Sequence, residues 1–276
     1  METVDTHAHI YHPDETAYPM KPNPLRPPEA TGAVARLQRE MRLAGVKRTV
    51  LVQTGSAYGW DNRLLADTAL ENRQWAVGVC TLDPASPDSP GELERLASGF
   101  NVRGLRLEST RTSSSVFYHP GAVLLGKAAR QLNVVICAHI RAQFLGQLAE
   151  FLGHFPEVSV VLDHAAYPKA AEGDASETVE GVVALARFRN LHVKLTFAVT
   201  GSEEGYPFQD SHPIVRRMIE AFGPDRCMWG SDFPCELWLK KATYRQHLAL
   251  FTEELGLSAG ERQAILAETP MRVWFT

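Results

Sequence analysis

Eight short runs rich in β-branched residues, alternating with amphipathic helical stretches, constrain this 276-residue chain more than any other feature. The runs occupy residues 3–10, 48–54, 75–82, 102–108, 133–140, 158–164, 191–197 and 226–232. Stretches such as "GAVARLQREMRLAG", "NRLLADTALENR", "GAVLLGKAARQL" and "HPIVRRMIEAFG" lie between them, with apolar residues three and four apart. That spacing marks one buried helical face. A helix between successive strands is a connection long enough to lay the next strand parallel. Eight such units predict an α/β fold, a (β/α)8 TIM barrel forming a single domain over residues 1–276. No G-x-G-x-x-G follows the first strand, so a dinucleotide-binding open sheet loses ground.

In such a barrel the C-terminal strand ends face the mouth, where catalytic groups sit. Here those ends carry His7, His9, Arg106, His139, His164, Lys194 and Asp232. The opening "DTHAHI" places His7 and His9 two residues apart, on the same face of an extended strand. Two imidazoles facing one interior need partners, either a metal ion or hydrogen-bonding neighbours. Asp232 on the last strand adds a carboxylate able to coordinate or to take a proton from water. Any one of these histidines alone is more often a hydrogen-bonded core residue; the clustering is what carries weight. The Arg106 guanidinium suits a substrate carboxylate, and equally an ion pair with an acid such as Glu108. The proline-rich loop 13–31 is too long for a turn and reads as a functional loop over the first strand's end.

Composition narrows the class. The formal charge is −4 and no Lys/Arg run exceeds a pair, so nucleic acid and anionic membranes find no basic surface. Cys80, Cys137, Cys227 and Cys235 are scattered and form no C-x-x-C pair, which fits a reducing compartment rather than a disulfide framework or zinc ribbon. No apolar run approaches the roughly 18 residues of a membrane span, and no signal region precedes the first motif, so a cytoplasmic enzyme is expected.

Taken in order, "DTHAHI", "ICAHI", "VVLDHAAYPK" and "MWGSDFP" resemble the amidohydrolase superfamily, in particular its amidohydrolase-2 branch with the 2-pyrone-4,6-dicarboxylate lactonases. "TAYPMKPN", "VRGLRLEST" and "ILAETPMRVWF" extend the likeness over nearly the whole chain. The resemblance implies a distorted barrel with a hydrolytic site at its mouth. His7 and His9 match the first-strand pair, His139 and His164 the fifth- and sixth-strand histidines, and Asp232 the water-activating aspartate. It therefore implies His7, His9, His139, His164 and Asp232 as ligands of one divalent metal ion, with zinc suited to the donor set. Asp232, His164 and His139 are the implied catalytic groups. No lysine stands where a carbamate would bridge two metals. A metal-free mechanism stays open, since the branch includes lactonases that work without metal.

Arg106 and Tyr18 match positions that hold substrate in the lactonases, and Arg111 and Lys194 are weaker candidates for the same anionic pocket. Lys194 has the alternative of an internal ion pair. Glu236, after "SDFP", is expected near the mouth, where it would repel a second substrate carboxylate. The expected activity is hydrolysis of a lactone or related cyclic ester of a small carboxylic or sugar acid. Zinc-dependent non-oxidative decarboxylation and lactone isomerisation are the alternatives. The expected partner is a small molecule, a lactone or carboxylate, with a homo-oligomer possible.

Overall fold

The computed structural model describes residues 2–110 and 113–276. Eight parallel strands form one sheet in the order of the sequence: β1 Val4–Ala8, β2 Arg48–Val52, β3 Ala76–Thr81, β4 Val102–Glu108, β5 Val135–His139, β6 Val160–Leu162, β7 Leu191–Lys194 and β8 Cys227–Met228. Helices follow the strands, among them Val34–Ala44, Arg63–Glu71, Ser89–Gly99, Pro120–Leu132, Leu145–His154, Glu177–Ala184 and His212–Phe222. Their apolar faces pack on the outside of the sheet, with Leu37, Leu65, Leu93, Leu125, Leu148 and Met218 almost fully buried. This is the expected (β/α)8 barrel, its strands buried on both faces as a parallel sheet covered on both sides requires.

β8 departs from expectation. The sequence reads as a strand over 226–232, yet only Cys227–Met228 pair in the ladder. Beyond Met228 the chain closes against β1 through single backbone bonds: Thr6 N–H to Trp229 O, Asp232 N–H to His7 O at 2.8 Å, and His9 N–H to Phe233 O at 2.7 Å. Asp232 itself sits in the left-handed region, with φ of 51°. A β-period reading sees the apolar run and misses this twist out of the ladder. The seam explains why the barrel is distorted, and Gly230 permits it, because a Cβ there would lie 2.7 Å from the Cβ of His7.

Inside the barrel, Val50, Val52, Val77, Val79, Val135, Cys137, Val161 and Met228 pack around Trp274. Trp274 ends the helix Thr269–Trp274 and closes the barrel from the end opposite the mouth. Gly104 makes room for it, since a Cβ there would meet the indole at 2.9 Å.

Loop 13–31 follows β1 in the chain. Its backbone is pinned to the segment after β2, by Lys21 N–H to Ala57 O at 2.8 Å and Leu25 N–H to Ser56 O at 3.3 Å.

Candidate active site

β1 is buried along its whole length, so its polar residues must be satisfied inside the protein. Asp5 accepts from Ser231 N–H at 2.8 Å, Ser231 Oγ at 2.6 Å and the Tyr244 hydroxyl at 3.0 Å. These bonds fix the Ser231–Asp232 turn against β1. His9 donates Nδ1–H to the Val52 carbonyl at 2.9 Å, which leaves Nε2 as a bare acceptor. The Nε2 atoms of His7 and His9 lie 3.2 Å apart. Oδ1 of Asp232 lies 3.7 Å from His7 Nε2 and 3.6 Å from His9 Nε2.

Beneath this triad is a buried charge layer. Asp163 is fully buried between Lys194 Nζ, 3.0 Å from Oδ1, and Arg106 Nε, 2.9 Å from Oδ2. Burial pushes the Asp163 carboxyl up, but Lys194 and Arg106 outweigh it and hold the group well below the usual carboxylate range. Lys194 Nζ also lies 3.1 Å from His7 Nδ1.

His164 follows Asp163 and stands with its ring 4.8 Å from that of His7, its Nδ1 paired with Thr196 Oγ1 at 2.6 Å. Residues 164–167 all have positive φ, a left-handed turn that brings Tyr167 back over His164, with ring centroids 4.8 Å apart. The Tyr167 hydroxyl bonds His139 Nε2, and His139 Nδ1 lies 3.5 Å from Glu108 Oε2. His9, Arg106, Glu108, His139, Arg141, His164, Tyr167, Asp232 and Trp238 line a cavity of about 240 Å³ at the mouth.

Burial shapes the protonation of the site. It lowers His7, with Lys194 adding to the effect, and takes His9 down to about 3, with Arg106 adding to it. It also lowers His139 and His164. All four imidazoles are neutral at pH 7. Asp232 is pushed up to about 7, chiefly by burial, with Arg106 and Lys194 opposing. A carboxyl near neutrality can both take and return a proton.

The structure thus brings His7, His9 and Asp232 together, with one donor atom from each within 4.8 Å of the others. His164 stands beside this group, while His139 is engaged by Tyr167 and Glu108 on the opposite wall. Arg106 lines the cavity, but its Nε is held by Asp163, not by Glu108. Lys194 keeps the internal ion pair and lies fully buried below the cavity. Tyr18 is turned elsewhere: its hydroxyl donates to Asp67 at 2.9 Å and its ring meets His12. Arg111 lies outside the described residues. Glu236 is ion-paired with Arg36, which compensates the charge expected to repel a second carboxylate. Cys235 is buried, its thiol pushed well above its ordinary range by that burial.

Asp5, Asp163, Tyr167, Glu108 and Arg141 were not singled out for the site from the sequence. Asp163 had a signal, an acid ending an apolar strand directly before a mouth histidine. Tyr167 had none, because a left-handed run of four non-glycine residues has no sequence signature.

The residues present fit a divalent ion. Two neutral imidazoles and a carboxylate converge on one point, and the His9 Nδ1–H is fixed on a carbonyl so that its Nε2 is the acceptor nitrogen, the usual support for a metal-binding histidine.

Comparison with known proteins agrees with this geometry. The family model described as amidohydrolase matches residues 4–276. A 2-pyrone-4,6-dicarboxylate hydrolase of Comamonas testosteroni is 28% identical, over 99% of this chain and 90% of its own length. An L-fucono-1,5-lactonase of Burkholderia ambifaria is also 28% identical, over 75% of this chain and 74% of its own. Among solved structures, an amidohydrolase from Burkholderia multivorans with bound zinc superposes with a TM-score of 0.80, at 23% identity over 100% of this chain and 99% of that one, a likeness of fold.

Proposed function

The chain belongs to the amidohydrolase family, and we propose that it hydrolyses a lactone or related cyclic ester of a small carboxylic or sugar acid. The observation that carries this reading is the buried Asp232 carboxylate, held beside two neutral imidazoles at the wall of a small mouth cavity. Two similar proteins support it, since both are named for acting on cyclic esters.

The reaction follows from the groups present. Asp232 takes a proton as water attacks the lactone carbonyl carbon. The tetrahedral intermediate collapses, the ring C–O bond breaks, and the leaving alkoxide receives that proton from Asp232. The product is an open hydroxy acid. His164 and His139 face the same cavity, where their neutral imidazoles can hydrogen-bond the carbonyl oxygen as negative charge develops on it. Arg106 and Arg141 offer guanidinium groups to a carboxylate on the substrate.

His7, His9 and Asp232 would hold one divalent ion, with His164 beside them, and zinc suits imidazole and carboxylate donors. When bound, the ion would supply Lewis acidity and lower the pKa of water toward 7. Metal analysis of protein purified without a histidine tag tests this directly: about one equivalent is expected, and metal-free protein with full activity would contradict it.

We place the chain in the cytoplasm, a reading supported by four free, buried cysteines. Among the described residues no helix is long and apolar enough to cross a membrane. A pH-stat assay over a panel of lactones, with carbon dioxide measured in parallel, tests the reaction class. Proton release without gas is expected, whereas gas release from an aromatic acid would establish decarboxylation instead.

A further inference from the structure

At the end of the barrel opposite the mouth, a cavity of about 260 Å³ opens between the starts of β4, β5 and β7 and the helix Thr269–Trp274. We propose that this cavity is a second binding site, taking a small oxyanion with two or more negative charges. It is separate from the catalytic machinery and shares no lining residue with the mouth cavity.

Three arginines from three elements line it: Arg103 from β4, Arg130 from the last turn of Pro120–Leu132, and Arg272 from Thr269–Trp274. Arg272 donates one bond to the Asp225 carbonyl at 2.5 Å. Arg103 and Arg130 are exposed, and neither guanidinium forms a hydrogen bond or an ion pair among the described residues. The carboxylate side chain on the same wall, Glu157, pairs with none of the three. Three guanidinium groups against one carboxylate side chain leave a positive local potential, and planar forks of this kind match carboxylate and phosphate oxygens.

A second observation is independent of the arginines. His192 and Trp274 line the cavity and are only 7% and 1% exposed, yet His192 Nδ1 and Trp274 Nε1 have no hydrogen-bond partner. A buried polar nitrogen without a partner costs on the order of 1–3 kcal/mol. The volume falls just under the roughly 300 Å³ at which ordinary ligand pockets begin, so the class is a phosphate or a di- or tricarboxylate, not a nucleotide.

Calorimetric titration of the full chain with citrate and with inorganic phosphate, at constant ionic strength and with glycerol as a neutral control, tests the site. Saturable binding of at least one anion is expected, and the responding anion identifies the source of charge. The double variant Arg103→Gln/Arg130→Gln should weaken that binding at least tenfold while leaving the thermal midpoint near that of the parent. Arg272→Gln, on a different element, repeats the test should the double variant misfold. Absence of saturable binding overturns the proposal. So does binding that these variants leave unchanged, because the anion would then sit at Arg106 and Arg141 in the mouth.

Discussion

Asp163 organises the site more than its position suggests. It is the single anion between Lys194 and Arg106, and Lys194 in turn orients His7. Asp163→Asn leaves two buried cations uncompensated, and breaking a buried pair from one side typically costs about 3–5 kcal/mol. Urea unfolding at pH 7 is expected to show a loss of that order; a loss under about 1 kcal/mol would show that the layer does not depend on this charge. At this scale the sequence was partly legible. Residues whose type announces chemistry, such as the H-x-H pair and Asp232, could be picked out by their place at strand ends. Residues that act through a distant partner could not: Arg106 had Glu108 two positions away as its visible candidate, while the true partner lies 57 residues on. Tyr18 illustrates the reverse, a loop tyrosine matched to a substrate position whose hydroxyl is instead committed to Asp67.

Elements were legible wherever hydrogen-bonded periodicity governs the chain. β4 spans 102–108 as its sequence pattern predicts. The helix patterns are found between the expected strands, because apolar spacing alone selects the buried face. β8 was not legible, since its closure on β1 uses isolated backbone bonds and a left-handed Asp232 in place of a ladder. This seam also sets the catalytic geometry. Gly230→Ala would force a methyl group against His7, and overpacking of this kind costs about 1–3 kcal/mol. The variant is expected to lose stability in that range and at least tenfold in kcat/KM on the lactone that the parent hydrolyses. Parent-like activity would show that the approach of β8 to β1 does not position His7. Loop 13–31, expected over the first strand's end, is bonded through Lys21 and Leu25 to residues 57 and 56, and Ser56 lines the mouth cavity.

At the scale of the whole molecule, burying neutral histidines makes stability depend on pH. His247 is fully buried, donates Nδ1–H to the Ser231 carbonyl at 3.2 Å, and is lowered from 6.5 to about 4, chiefly by burial. The unfolded chain therefore binds this proton more readily than the folded one. The stability contributed is complete above pH 6.5 and is lost as pH falls toward 4, by at most roughly 3 kcal/mol. Urea midpoints between pH 7 and 4.5 should fall with acidification, and less steeply in His247→Gln; an identical slope in the variant would assign the acid sensitivity to other groups.

The same burial raises Asp232 and keeps the mouth histidines neutral, so folding and catalytic readiness share one cause. The most direct measurement is turnover of a lactone by Asp232→Asn beside the parent protein, with circular dichroism confirming an unchanged fold. A loss of at least about a thousandfold is predicted, because general-base catalysis of this kind contributes factors of roughly 10² to 10⁴ and the amide also weakens any ion held by His7 and His9. A correctly folded Asn variant that opens the lactone at the parental rate would contradict the account.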